Sequence, residues 1–244
     1  TKRAEGGYGM TMTCASHVHA LGQGFEGQLG CFHDGHVEGL GLLASAIREA
    51  GSLSSVQLHH AGMRSPAQII RERPLCPSEN LRSGARALSI DEVRDLVEAF
   101  VRAAERADEA GFDGVEVHGA HGYLVCQFLS AEINTREDDY GGSLENRSRF
   151  LWEIIAGIRA RCRPDFQVGV RLSPERFGMR LSEVLAVSQR LFDEGNIDYL
   201  DASLWDVGAR GFLPARAPRK EPSTPALRVL RDLGREVPSA ALEE

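Results

Sequence analysis

Short apolar runs alternate along the chain with longer stretches whose apolar residues recur every three or four positions. The runs at 8–15, 55–58, 113–118, 167–172 and 197–203 predict five strands. Helical spacing predicts helices over 34–50, 89–110, 143–161 and 181–193, with another at 224–233. Local signals sharpen some ends. Ser89 followed by Glu92 reads as a capping box, Ser143 as an N-cap, Asp34 as an N-cap and Gly111 as a stop. Residues 1–7 read as the tail of a helix, with cations in its last turn and glycines after it.

Strands alternating with helices imply βαβ units and a parallel sheet. An open dinucleotide-binding sheet would show its glycine fingerprint where the first strand hands over to a helix. Here Gly22, Gly24, Gly27 and Gly30 stand in a loop instead. The chemically informative residues, Gln57, His118 and Arg171, fall at strand C-termini, where a (β/α)8 barrel assembles its site. The barrel is the expected fold, as a single domain over 1–244. Composition fits a globular chain: 244 residues, 42 % apolar and 26 % charged. A net charge of −7 argues against general nucleic-acid binding, and no apolar run approaches the ~18 residues of a membrane span. Five scattered cysteines without a CxxC pair suit a reducing, cytoplasmic setting rather than a disulfide framework or zinc ribbon.

Chemistry concentrates in His118-Gly119-Ala120-His121-Gly122-Tyr123. Two imidazoles three residues apart can both donate an N–H to one acceptor, and the Tyr123 phenol can give up a proton. That set suits a carbonyl or nitro oxygen on which negative charge builds. Two rivals stay open on the residues alone: a metal pair, weakened by the lack of a third ligand at suitable spacing, and two structural histidines. Of His59 and His60, which face opposite sides of a strand, His60 is the expected pocket residue. His17 and His19 head toward the same end of the barrel. His33 and His36 read as capping or surface residues, Arg136, Asp139 and Tyr140 as a loop-fixing network, and Cys14 and Cys126 as small core fillers. The stretch 62–88 is too long for an ordinary connection and reads as a lid, a subunit contact or a plain insertion.

The stretch AGFDGVEVHGAHGYLVCQFLSAEINTREDDYGGSLENRSRF at 110–150 closely resembles the old yellow enzyme family of flavin-dependent ene-reductases. VQLHHAG at 56–62, VGVRLSP at 168–174 and GQLG at 27–30 extend the resemblance over about residues 1–206. It implies FMN as cofactor and NADPH or NADH as reductant. The implied substrates are activated C=C bonds of α,β-unsaturated carbonyl or nitro compounds. His118 and His121 match the pair that binds the activating oxygen, and Tyr123 matches the proton donor. Gln57 matches the residue on the flavin pyrimidine edge, Arg171 the arginine beside flavin N1 and O2, and Ala15 a backbone contact to the isoalloxazine. A small-molecule substrate and a homo-oligomer are the expected partners.

The five strands correspond to the family's second through sixth. The first is missing, and so are the seventh and eighth, apart from a Val237-Pro238 start resembling the seventh. An arc with two open edges and no phosphate-gripping loops is expected to bind FMN poorly. Two further readings follow: the barrel half of a larger iron–sulfur flavoprotein similar to 2,4-dienoyl-CoA reductase, or an inactive truncated barrel with a structural role.

Overall fold

The computed structural model describes residues 1–203. In chain order its elements are α1 (Lys2–Glu5), β1 (Met10–Met12), β2 (Ser16–His17), α2 (Val37–Glu49), β3 (Leu53–His59), α3 (Ala67–Ile70), β4 (Leu75–Cys76) and β5 (Arg86–Ala87). There follow α4 (Ile90–Glu109), β6 (Gly114–Gly119), α5 (Leu124–Leu129), α6 (Leu144–Arg161), β7 (Gln167–Leu172), α7 (Leu181–Asp193) and β8 (Tyr199–Ala202). The helix expected at 224–233 and the Val237-Pro238 strand lie outside the described residues.

β1, β3, β6, β7 and β8 pair side by side in that order, every ladder parallel, and β2 adds to β3. Those five are the expected strands, and they form a parallel arc of the barrel. Parallel register places cross-strand partners on one face of the sheet. Gln57 stands opposite Glu116, Glu116 opposite Gly169, and Gly169 opposite Tyr199. One step nearer the C-terminal ends, His118 stands opposite Arg171 and Arg171 opposite Asp201. The interior face of the arc is thus polar. The alternate positions, Val56, Leu58, Val115, Val117, Val168 and Val170, are fully buried in one core cluster with Phe100, Ala104, Phe150, Ile154 and Leu191 from α4, α6 and α7. Burial of that helix-facing layer drives the arc together, at roughly 25 cal/mol per Å² of apolar surface.

Gly169 permits one close approach. A Cβ there would come within 2.0 Å of the Tyr199 ring, so only glycine lets that ring cross the interior floor.

The capping signals were read correctly at two helices. Ser89 Oγ accepts from the Glu92 N–H while Glu92 Oε2 accepts from the Ser89 N–H, and Ser143 Oγ accepts from the Asn146 N–H. At the third, Asp34 is not the cap. A 3-10 turn over Asp34–His36 precedes α2, and His33 caps it. His33 Nδ1 accepts from Gly35 N–H and His36 Nδ1 accepts from His33 N–H, an imidazole version of the capping box that frees Asp34 to pair with Arg106. Among the described residues no helix is long and apolar enough to cross a membrane.

Candidate active site

The 118–123 segment leaves β6 and turns back into α5. His121 adopts φ +60° and Gly122 φ +72°. For a residue with a Cβ that left-handed backbone is strained by about 1 kcal/mol or more and must be held by its surroundings. The Ser173 hydroxyl accepts from the His121 N–H at 3.0 Å, and the His121 carbonyl accepts from Arg64 Nη1 at 3.1 Å. Tyr123 then occupies the N-cap position of α5.

This turn gathers the aromatic residues. The His118 ring lies 5.1 Å from that of His121 and 5.1 Å from that of Tyr123, in edge-on contacts, and His121 lies 6.2 Å from Tyr123. His59, at the end of β3, joins them at 5.3 Å from His118 and 4.3 Å from Tyr123. The expectation for His60 is therefore corrected. β3 turns its odd-numbered side chains to the interior, so His59 shares the face of Gln57, while His60 stacks near His19 and accepts the Gly62 N–H. The Arg64 guanidinium covers the Tyr123 ring at 5.3 Å from its centre.

Burial sets the charge of this cluster. His59 is driven down to about 3, first by desolvation and then by His17 and His121. His118 is held well below its ordinary value by burial, with His59 and His121 adding to it. His121 is lowered by burial and by the Arg171 cation. All three imidazoles are neutral near pH 7, each with one N–H and one lone pair. His118 Nδ1 accepts the Ala120 N–H at 3.3 Å, which assigns the ring proton to Nε2.

Arg171 and Gln57 stand below this ring cluster. Arg171 forms an ion pair with Asp201 at 3.0 Å and donates from Nη2 to Ser203 Oγ at 3.2 Å. Ser203 Oγ in turn lies 2.5 Å from His121 Nε2. Gln57 Nε2 donates to Glu116 Oε1 at 2.7 Å, and its backbone N–H donates to Thr13 Oγ1. Ala15 precedes Ser16, whose register partner is Leu58, so it stands beside Gln57. Its carbonyl accepts from the Gln28 side chain at 2.7 Å. Arg171 thus reaches His121 through one hydroxyl, while Gln57 and Ala15 approach from the β1–β3 side.

Ser203 and Glu116 went unrecognised in the sequence. Ser203 lies one residue past β8, where its N–H donates to the Leu172 carbonyl, opposite the similarly placed Ser173. A polar residue just beyond a strand C-terminus is the available signal. Glu116 carried a clearer one: an acidic side chain inside an otherwise apolar strand, two residues before His118.

Other expectations are resolved by position. Arg136 pairs with Asp138 and donates to the Pro77 and Leu88 carbonyls, the Asp139 carbonyl accepts from Arg149, and the Tyr140 hydroxyl donates to Glu153. That is a loop-fixing network. Cys126 is buried and its thiol is pushed up to about 12, as a core filler's would be, whereas Cys14 is exposed and fills no core.

A sequence profile of the NADH:flavin oxidoreductase / NADH oxidase family matches residues 1–222. A probable NADH-dependent flavin oxidoreductase, YqiG of Bacillus subtilis, is 39 % identical over 222 residues, covering 85 % of this chain and 59 % of its own length. The old yellow enzyme homologue of Zymomonas mobilis superposes with a TM-score of 0.72 at 30 % identity, over 79 % of this chain and 59 % of that one. A 2-naphthoyl-CoA reductase superposes with a TM-score of 0.80 at 27 % identity, over 97 % of this chain but 38 % of that one. The chain spans less than two thirds of the length of each of these relatives.

Proposed function

Because the chain belongs to the NADH:flavin oxidoreductase / NADH oxidase family, that of the old yellow enzymes, we propose that it serves an FMN-dependent reduction of activated C=C bonds at the expense of NAD(P)H. The observation that carries this reading is the meeting of His118, His121 and Tyr123 at the C-terminal mouth of the arc, with Arg171 one hydroxyl away.

The donor set fits a flavin. Among the described residues nothing donates to Gln57 Oε1, while one of its N–H groups is committed to Glu116. Nε2 also lies 3.8 Å from the Met12 sulfur, a weak acceptor that a ring edge would displace, so the carboxamide can turn its carbonyl and its second N–H to a ring edge that presents both a donor and an acceptor. The Arg171 guanidinium favours the negative charge of a reduced flavin near N1. Ala15 would contribute its backbone. Bound FMN supplies reversible hydride chemistry, with NADPH or NADH as reductant.

The chain's own residues do the rest. His118 and His121 donate N–H to the carbonyl or nitro oxygen of an α,β-unsaturated substrate. Neutral imidazoles polarise that oxygen without protonating it, which draws electron density from the β-carbon. The Tyr123 hydroxyl holds the proton destined for the α-carbon, with His59 and Arg64 packing its ring. Free cysteines support a reducing cytoplasmic setting, and a homo-oligomer is part of the same reading.

The experiment is a stopped-flow comparison with FMN in excess and 2-cyclohexenone as acceptor. Support is NAD(P)H-driven flavin bleaching followed by enone-dependent reoxidation. Bleaching with no acceleration by any enone or nitroalkene would sink the substrate class. A second reading, the barrel portion of a larger flavoprotein, is favoured by the 97 % coverage of this chain against 38 % of 2-naphthoyl-CoA reductase. Iron–sulfur absorption beside the flavin band would select it.

A further inference from the structure

Two buried polar residues meet on the interior floor without an obvious reason. Gln57 and Glu116 are register partners on adjacent strands, both nearly inaccessible, with Gln57 Nε2 donating to Glu116 Oε1 at 2.7 Å. The other carboxylate oxygen, Oε2, is buried and has no hydrogen-bond partner. An unsatisfied buried carboxylate oxygen is costly, so its presence here asks for a role.

A carboxamide has two N–H groups and one carbonyl oxygen, and its two ends differ little in shape. Rotated by half a turn, Gln57 would direct its oxygen at Glu116, oxygen against oxygen. An ionised carboxylate only accepts, so it rejects that rotamer and selects the one with nitrogen inward. It consumes one N–H, leaves the other no stronger partner than the Met12 sulfur at 3.8 Å, and turns the carbonyl oxygen to whatever approaches the mouth.

We propose that Glu116 is a positioning residue that locks the orientation of the Gln57 carboxamide, and with it the hydrogen-bond polarity shown to the cofactor edge. The lock is a property of this chain alone, and only its effect on flavin binding rests on the reading above. The groups facing Glu116 are Gln57 from β3, Arg171 from β7, and Tyr199 and Asp201 from β8. Burial raises the Glu116 carboxyl to about 7, with Asp201 adding to the rise and Gln57 and Arg171 opposing it. The lock therefore weakens within the neutral range. A protonated Glu116 can donate as well as accept, and both Gln57 rotamers become tolerable.

The test needs no cofactor. In 15N–1H spectra of the whole chain, the Gln57 side-chain amide is identified by its disappearance in Gln57→Met. The proposal expects that resonance to move with pH along one curve, shared with the Glu116 carboxyl carbon, and to lose the movement in Glu116→Gln. Glu116→Ala should also shift it away from its hydrogen-bonded position. A Gln57 amide indifferent to pH and to both substitutions overturns the lock. Glu116→Gln is nearly isosteric, and its backbone spectrum reports whether the fold survives should Glu116→Ala fail. In the second arm FMN is titrated into each protein, and Glu116→Gln is expected to weaken binding about tenfold at pH 8 and less at pH 6. Equal affinity with a demonstrably altered amide would detach the lock from the cofactor. No FMN binding by the unsubstituted chain would leave the amide result alone to decide on Glu116.

Discussion

Ser203 Oγ stands 2.5 Å from His121 Nε2 while accepting from Arg171 Nη2 at 3.2 Å, so one hydroxyl joins the imidazole to the guanidinium. A hydroxyl that accepts from arginine has its own proton to give, and His121 Nε2 is the group in line to take it. The ring proton of His121 then belongs on Nδ1. Ser203→Ala removes this restraint, and one hydrogen bond of about 1 kcal/mol corresponds to roughly fivefold. The expected result is a loss of about that size in kcat/KM for the alkene. Flavin reduction by NAD(P)H should change far less. Equal losses in the two half-reactions would place Ser203 with the cofactor rather than with His121.

Tyr123→Phe keeps the ring contacts to His59 and His118 and deletes only the hydroxyl. If that hydroxyl supplies the proton, alkene reduction falls on the order of a hundredfold, the ordinary size of a general-acid contribution. Rapid-mixing measurements of flavin reduction alone should stay near the parent value. A parent-like alkene rate would remove Tyr123 from the chemistry.

Gly169→Ala drives a methyl group to within 2.0 Å of the Tyr199 ring, on a strand whose backbone is fixed by ladders on both sides. Overpacking of this kind costs about 1–3 kcal/mol. Urea unfolding should show it, and Tyr199→Ala combined with Gly169→Ala should recover part of the loss. A double variant no better than the sum of the singles would mean that the clash is relieved elsewhere.

Acid should unfold this chain early. His59, His60 and His118 are buried with their proton affinities lowered, so as the pH falls below 6.5 the unfolded chain binds protons that the folded chain refuses. Stability is complete above 6.5 and falls as the pH drops, each such imidazole contributing up to about 1.4 kcal/mol per pH unit. Glu116 acts in the opposite sense. Its raised carboxyl contributes stability below 4.5 that is lost as the pH rises toward 7. Three imidazoles outweigh one carboxyl. The urea midpoint should fall steadily from pH 6.5 to pH 4.5, and a flat profile there would contradict neutral buried histidines.

Elements governed by period and caps were legible in the sequence. β7 and α7 have the expected limits, and α4 and α6 begin at the residues their serine caps dictate. What escaped notice was short or without period. β2 is two residues long and defined by pairing alone. α5 is six residues long, apolar but for Gln127, with every side chain buried, so no polar face marks it as a helix. The 118–123 cluster was readable because its chemistry is contiguous. The choice between His59 and His60 turned on which parity of β3 faces inward, and alternation cannot settle that in a strand buried on both sides. Ser203 and Glu116 matter through neighbours 82 and 59 residues away, and distances of that kind belong to the folded chain.

The polar rungs across the sheet also limit how sequences of this kind can drift. Gln57, Glu116 and Tyr199 share one rung with Gly169, and His118, Arg171 and Asp201 share the next. Inserting or deleting a single residue within β6 or β7 would send valines to the cleft and charges into the helical layer. Length changes are tolerable only in the connections, such as the 62–88 and 130–143 segments, while the strands stay locked in step.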